Sequence, residues 1–124
     1  MNVPDSSAWI EYFGAGPLVS NFRQVLRDFP NLIIPSIVIY EVHKWVLLKL
    51  GEEAALTART MMLRGNVILL DPSIALDASR LSIKHKLPMA DAIIYATALA
   101  NAAEVWTTDG HFKGLPNVRL FEKN

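Results

Sequence analysis

Several things are missing from this chain, and each absence limits what it can be. There is no cysteine, which excludes disulfides, thiolate metal sites and cysteine nucleophiles. The 12 basic and 12 acidic residues give a formal net charge of zero, which argues against holding nucleic acid by bulk positive charge. The sequence shows no membrane-length apolar run and no basic, apolar leader at its start. We therefore expect no membrane association and a cytoplasmic location.

The residues that are present indicate one folded domain. A hydrophobic fraction of 52% with 19% charged residues excludes a disordered chain. The length of 124 residues suits a single core, so we predict one domain over residues 1–124.

Short β-type runs alternate with longer helical segments. The pattern predicts strands near 1–4, 32–34, 67–70, 105–107 and 118–121. Helices are predicted near 7–13, 18–27, 36–50, 52–64, 74–85 and 88–103. This alternation is typical of an α/β fold with a central, mostly parallel sheet flanked by helices. In such folds, ligands bind beyond the carboxyl ends of the strands.

Four acidic residues occupy positions that such a sheet brings to this edge. Asp5 follows the first strand and Asp109 the fourth, although a helix cap and a turn would explain either one alone. Asp91 is the only charged residue between Lys86 and Glu104, in the first turn of an otherwise small and apolar helix. The fourth acid is Glu41, in the middle of the chain.

Glu41 is the most informative of the acids. Its neighbours on a helix are Ile37, Val38, Trp45 and Leu48, which form an apolar stripe. An ionised carboxylate there is costly unless it is paired or binds a cation. The ordinary alternative is a buried ion pair with a basic residue elsewhere.

The remaining acids have ordinary explanations. Asp71 begins an Asp-Pro-Ser turn before a helix, so turn formation and capping account for it. Glu11 is expected to face water. We leave both residues out of the predicted site.

Clustered carboxylates need a counter-cation, because two of them about 4 Å apart repel by about 4 kcal/mol at an effective dielectric near 20. Mg²⁺ is the divalent ion that best fits such oxygen ligands, and Mn²⁺ is a close substitute. The three histidines, His43, His85 and His111, show no ligand spacing, so zinc is disfavoured. Mg²⁺ held by carboxylates with open positions is typical of phosphoryl-transfer chemistry.

Four segments resemble the PIN domain in the form found in VapBC-type toxins. The most specific is Leu87-Pro88-Met89-Ala90-Asp91-Ala92-Ile93-Ile94. The others are Pro4-Asp5-Ser6-Ser7-Ala8-Trp9-Ile10, Ile37-Val38-Ile39-Tyr40-Glu41-Val42 and Trp106-Thr107-Thr108-Asp109-Gly110-His111-Phe112. The match rests on their order and spacing, and it covers nearly the whole chain.

The resemblance implies a three-layer α/β/α fold and a Mg²⁺- or Mn²⁺-dependent endoribonuclease, the toxin of a toxin–antitoxin pair. It assigns the family's acidic quartet to Asp5, Glu41, Asp91 and Asp109. Asp5 and Asp91 would be the main metal ligands. The other two acids would complete the site and position or deprotonate the water.

Three further residues are interpreted through the same resemblance. Ser6 stands where the family usually has threonine, and its hydroxyl would keep the hydrogen bond to the site. Thr107 would brace the loop that carries Asp109. Pro4 replaces an apolar strand residue and removes a backbone donor, so we expect weaker strand pairing there.

The family also implies an RNA substrate, a homodimer and a cognate antitoxin that crosses the active-site groove. Candidates for the groove or the dimer surface are Trp9, Tyr12, Phe13, Trp45 and Leu48. We expect Trp9 and Phe13 to belong to the core instead.

Two other functions remain open. One is a non-catalytic PIN-like domain that binds a partner, which the presence of all four acids disfavours. The other is a receiver-like phospho-acceptor domain. That fold would need an acid pair after the first strand, where this chain has Asp5-Ser6-Ser7, and a lysine after the later strand 105–107.

Overall fold

The computed structural model describes residues 1–123, in which short strands alternate with helices. The strands are β1 (Asn2–Pro4), β2 (Ile33–Pro35), β3 (Asn66–Ile68), β4 (Glu104–Thr107) and β5 (Val118–Leu120). The α-helices are α1 (Ser6–Phe13), α2 (Val19–Arg27), α3 (Ser36–Leu50), α4 (Glu52–Met62), α5 (Pro72–His85) and α6 (Met89–Ala100). Two 3-10 helices are η1 (Phe29–Asn31) and η2 (Gly110–Phe112).

The strands form a parallel sheet, which confirms the predicted α/β class. β4 lies between β1 and β5, and β2 pairs with β3. A single parallel bridge between Asn2 and Leu32 joins the two groups, giving the order β3-β2-β1-β4-β5. This order differs from the 2-1-3-4-5 order of receiver-like folds, so the receiver hypothesis is wrong.

Pro4 explains why only one bridge joins β1 to β2. The N–H groups of Val3 and Asp5 face β4, and Asp5 N–H donates to the Trp106 carbonyl at 3.0 Å. Because donors alternate between the two sides of a strand, the Pro4 nitrogen faces β2, where it has no hydrogen to donate. The expected weakening therefore falls on the β2 side and leaves the β4 side, next to Asp5, intact.

Helix α6 packs on several elements at once. It contacts strands β1, β2 and β4 as well as helices α3 and α5, and residues 92–98 are all buried. A helix covered on most sides cannot present a polar face, which accounts for its small, apolar composition. Because α6 returns the chain to the start of β4, its own first turn lies near the carboxyl ends of the strands.

Some element ends differ from the sequence prediction. Asp5 caps α1, as the helix-cap interpretation of this residue allowed, because its carboxylate accepts the Ala8 N–H at 3.1 Å. β3 ends at Ile68, and the next two residues, predicted to continue a buried strand, are exposed.

The prediction that Glu11 faces water was wrong, since its side chain is only 4% exposed. Its carboxylate accepts the Leu18 N–H at 2.8 Å and lies 2.9 Å from the Lys123 Nζ. A buried carboxylate is tolerated when it is hydrogen-bonded and paired in this way.

The aromatic residues considered as surface candidates divide between core and surface. Trp9 is fully buried, as expected, and Phe13 stacks on it with ring centroids 5.9 Å apart. Tyr12 and Trp45 are half-buried, and Leu48 is 76% exposed on α3. Within the described residues, no helix combines the length and apolar character needed to cross a membrane.

Candidate metal and active site

Three of the predicted acids come together at the carboxyl edge of the sheet. Asp5 directly follows β1 and Asp109 lies two residues beyond the end of β4, and these two strands are parallel neighbours. Asp91 reaches the same edge from the first turn of α6. The charges of Asp109 and Asp5 both act on the Asp91 carboxylate, which places the three groups within electrostatic reach of one another.

Asp5 is held in place by three hydrogen bonds. Its Oδ1 accepts the Ser7 hydroxyl at 2.6 Å and the Ala8 N–H at 3.1 Å, and its Oδ2 accepts the Thr107 hydroxyl at 2.5 Å. A carboxylate offers about four lone-pair positions, so Oδ2 keeps one acceptor position free. The cap of α1 and the site therefore use the same side chain.

The two hydroxyl groups that bind Asp5 also hold the loop after β4. Ser7 Oγ accepts the Thr108 N–H at 2.9 Å, and Thr107 Oγ1 accepts the Asp109 N–H at 2.8 Å. The side chain of Asp109 then accepts the His111 N–H at 2.9 Å, which closes the turn into η2. The predicted role of Thr107 as a brace agrees with this geometry.

Asp91, Asp109 and His111 bring three side-chain atoms that could bind a metal close together. The His111 Nδ1 lies 2.8 Å from Asp109 Oδ1 and 3.4 Å from Asp91 Oδ2. One ligand atom from each residue lies within 4.8 Å of the others. Asp91 is 14% exposed and Asp109 30% exposed, so the group opens to solvent on the Asp109 side.

Burial and mutual repulsion make these carboxylates hard to ionise. Burial raises the pKa of Asp5 from 3.8 to about 6, and the charge of Asp109 adds to the shift, while hydrogen bonds from Ser7, Thr107 and Ala8 oppose it. Burial and then the charges of Asp109 and Asp5 raise the pKa of Asp91 from 3.8 to about 7, and His111 opposes that shift. A bound cation would favour the charged forms of both acids.

Glu41 joins this edge through a serine. It is half-buried on α3, and its Oε1 accepts the Ser6 hydroxyl at 2.5 Å, next in sequence to Asp5. Among the ion pairs of residues 1–123, none involves Glu41, so the alternative of a buried ion pair is wrong. The predicted hydroxyl contact of Ser6 is present, and it is made to Glu41.

The donor set fits a divalent cation. Asp91, Asp109 and His111 supply three ligand atoms close enough to share one ion, and Asp5 keeps a free lone pair on Oδ2 at the same edge of the sheet. Carboxylate oxygens are the ligands that Mg²⁺ and Mn²⁺ accept most readily in proteins. Glu41 and Asp5 lie outside the tight group of atoms found in the described part of the chain.

Sequence reasoning missed two residues of this arrangement. No role at the site was predicted for Ser7, and His111 was set aside because the histidines lack ligand spacing with one another. The available signal was Asp109-Gly110-His111, where one intervening glycine lets two polar side chains face the same side of a turn.

Comparison with known proteins agrees with this fold. Residues 3–117 match the PIN domain family. Among curated proteins no sequence matches the chain. A toxin–antitoxin complex from Klebsiella pneumoniae has a similar structure, with 25% identity and a TM-score of 0.83 over 99% of this chain and 100% of that chain.

Two further solved structures share the fold. VapC20 from Mycobacterium tuberculosis, described as a toxin that cleaves the sarcin–ricin loop, has 18% identity and a TM-score of 0.80, covering 95% of this chain and 97% of that one. VapBC2 from Rickettsia felis, bound to a promoter DNA fragment, has 18% identity and a TM-score of 0.73, covering 99% and 98%.

The chain belongs to the PIN domain family. Within that family its fold is that of the VapC-type toxins, as the sequence resemblance predicted.

Proposed function

We propose that this protein is a metal-dependent endoribonuclease and the toxin of a toxin–antitoxin pair, using Mg²⁺ with Mn²⁺ as a substitute. The observation that carries the proposal is the convergence of Asp5, Asp91 and Asp109 from three separate elements. Glu41 is joined to them through Ser6. The likeness to VapC20, which cleaves the sarcin–ricin loop, supports RNA as the substrate class.

The acids of the proposed site have different roles. Asp5 and Asp91 hold the ion, Asp5 through the open position on Oδ2. A divalent ion bound there supplies a Lewis acid for the phosphodiester and lowers the pKa of bound water. Asp109 and Glu41 would complete the site and position the attacking water. One of them would accept the proton of the water as its oxygen attacks phosphorus, the P–O bond to the leaving oxygen would break, and that oxygen would take a proton from solvent.

We also propose two protein partners, a cognate antitoxin and a second copy of this chain. Similar structures include a toxin–antitoxin complex and VapBC2. The α3 face of this chain carries Tyr40 and Leu48, which are 62% and 76% exposed beside a groove of about 630 Å³. Adjacent exposed apolar side chains are typical of surfaces that a partner covers.

Chelation tests the enzymatic proposal directly. The purified chain, stripped of metal, is incubated with labelled total RNA alone, with Mg²⁺ and with Mn²⁺. We expect cleavage only when a metal is added, and we expect Asp5→Asn to reduce it at least about 100-fold. Asp77→Asn is the control, because Asp77 is exposed on α5.

Two results would contradict the proposal. Cleavage that persists in chelator, or that Asp5→Asn leaves unchanged, would show that the acids are not the site. A wild-type chain that neither cleaves RNA nor binds either metal would instead support the non-catalytic PIN-like domain.

A further inference from the structure

His111 reaches the acidic group from a well-defined position. It is the middle residue of η2, and its own backbone N–H is bound by Asp109 Oδ1 at 2.9 Å. The same oxygen lies 2.8 Å from the His111 Nδ1, so Asp109 holds both the backbone and the ring. The ring nitrogen therefore points at the acids because of the turn, even though the side chain is 58% exposed.

An exposed histidine beside one carboxylate is usually only a surface ion pair. Here the Nδ1 lies between two carboxylates from different elements, 2.8 Å from Asp109 and 3.4 Å from Asp91. Ligand atoms about 2.1 Å from one ion lie about 3–4.2 Å from one another, and these three atoms lie within 4.8 Å. Small side-chain adjustments would thus place all three around a single ion.

The chemistry of the third donor differs from that of the other two. Asp91 and Asp109 offer hard carboxylate oxygens, whereas His111 offers an imidazole nitrogen. Mg²⁺ prefers oxygen ligands and retains its waters, while first-row transition ions such as Mn²⁺ accept nitrogen as well. With a nitrogen added to its carboxylate oxygens, the site therefore discriminates against Mg²⁺ more than an all-carboxylate site does.

We propose that the His111 Nδ1 is a ligand of the divalent ion and that it shifts the preference of the site from Mg²⁺ towards Mn²⁺. This inference rests on the proposed metal site, to which it adds a specificity-determining residue. It also assigns a function to a side chain that the acidic quartet does not include.

Metal binding to the metal-free full-length chain tests the inference without relying on activity. Calorimetry gives the Mn²⁺ and Mg²⁺ affinities of the wild type, of His111→Asn and of the control His43→Asn, whose histidine lies on α3. We expect His111→Asn to weaken Mn²⁺ binding about 10-fold or more and Mg²⁺ binding much less. His43→Asn should leave both affinities, and their ratio, unchanged.

Electron paramagnetic resonance of bound Mn²⁺ provides the direct readout. A nitrogen coupling should be present in the wild type and in His43→Asn, and it should be absent in His111→Asn. An unchanged Mn²⁺-to-Mg²⁺ affinity ratio in His111→Asn, with the same spectrum as the wild type, would overturn the role of His111 while leaving the acidic site intact.

A different result would overturn the metal site as well. If neither ion binds the wild type, and Asp91→Asn behaves identically in the titration, both proposals fail together. Thermal unfolding of each variant checks that it is folded, and we expect His111→Asn to fold like the wild type because the His111 side chain is 58% exposed.

Discussion

At the scale of single residues, the ionised carboxylate of Asp91 destabilises the metal-free folded protein because of its neighbours. Its carboxylate is 14% exposed, and the charges of Asp109 and Asp5 repel it. The positive end of α6 offsets only part of this, since a helix N-terminus contributes about 0.3–1 kcal/mol. Without a cation, the folded protein is therefore less stable than it would be with a neutral side chain at this position.

We expect Asp91→Asn to stabilise the metal-free protein by about 1–3 kcal/mol at pH 8 while abolishing metal-dependent RNA cleavage. The substitution removes a repelled charge and keeps the size of the side chain. Urea unfolding in chelator measures the change, and Asp77→Asn, at an exposed position on α5, should stay within about 0.5 kcal/mol of the wild type. A destabilised Asp91→Asn protein would show that repulsion is not the dominant effect.

The same stabilisation should depend on pH. The folded-state pKa of Asp91 is raised to about 7, so between about pH 4 and pH 7 the folded protein binds more protons than the unfolded chain. The stability contributed by this group is therefore present at low pH and is lost as the pH rises towards 7. The advantage of Asp91→Asn should be near zero at pH 4 and reach its full value above pH 7.

Unfolding curves of the wild type and Asp91→Asn at several pH values, all in chelator, measure the difference between their free energies of unfolding. Affinity for Mn²⁺ should rise over the same range, because protons must leave Asp5 and Asp91 before the ion binds. An advantage that is constant from pH 4 to pH 8 would contradict the assigned pKa.

At the scale of elements, the site depends on side-chain hydrogen bonds between the segments that follow β1 and β4. Thr107 is fully buried, donates to Asp5 and accepts from the Asp109 N–H. Ser7 makes the equivalent pair of bonds, to Asp5 and from Thr108. Two hydroxyl groups thus fix the loop after β4 against the start of α1.

We expect Thr107→Val to lower the free energy of unfolding by about 1–3 kcal/mol, because it leaves the buried Asp5 carboxylate without a donor and the partly buried Asp109 N–H without its acceptor. Metal affinity should fall about 10–100-fold, as it does when a group supporting metal ligands is removed. Chemical denaturation and Mn²⁺ calorimetry measure the two effects.

Thr107→Ser is the matched control, since it retains the hydroxyl and loses only a methyl group. Metal affinity close to wild type in Thr107→Ser, together with a large loss in Thr107→Val, would identify the hydroxyl as the cause. Equal losses in both variants would point to packing of the methyl group instead.

The elements themselves were largely predictable, because their signals are local. Helix α3 ends at Leu50, at the end of the predicted helix 36–50, and the next residue, Gly51, adopts a φ of 94°, which favours glycine. Asp71 caps α5 by accepting the Ile74 N–H at 2.8 Å, as its turn sequence indicated. The end of β3 was less predictable, because the exposed Leu69 and Leu70 resemble strand residues in sequence alone.

At the scale of the whole molecule, a contact between distant segments explains the error at Glu11. Burial by itself would raise the pKa of Glu11, but the Leu18 N–H and the Lys123 ammonium together lower it below its ordinary value. Lys123 follows β5 and lies 2.9 Å from a carboxylate on α1. The segment after β5 is thereby fastened to the first helix and to the loop that follows it.

We expect Lys123→Met to destabilise the protein by about 1–3 kcal/mol at neutral pH, because it leaves the buried Glu11 without its cation. Thermal or urea unfolding measures the loss. Because a lowered folded-state pKa contributes stability above the unfolded pKa, the difference should shrink as the pH falls below about 4.

The control for this prediction is Lys113→Met. Lys113 pairs with Glu122 at 3.5 Å, but both side chains are more than half exposed, so its loss should cost little. Similar destabilisation in the two variants would show that burial of Glu11 does not distinguish the pairs.

The sequence by itself determined the order of the elements, the absence of thiol chemistry and the presence of four acids in segments that resemble the PIN domain. These features depend on hydrophobic periodicity, capping and composition, which are properties of neighbouring residues. Only the tertiary structure decided that the His111 ring lies beside Asp91 and Asp109, that Ser7 is hydrogen-bonded both to Asp5 and to the loop after β4, and that Glu11 is buried. Those outcomes depend on which strands become neighbours and on what covers each side chain, and both are set by contacts between residues far apart in the chain.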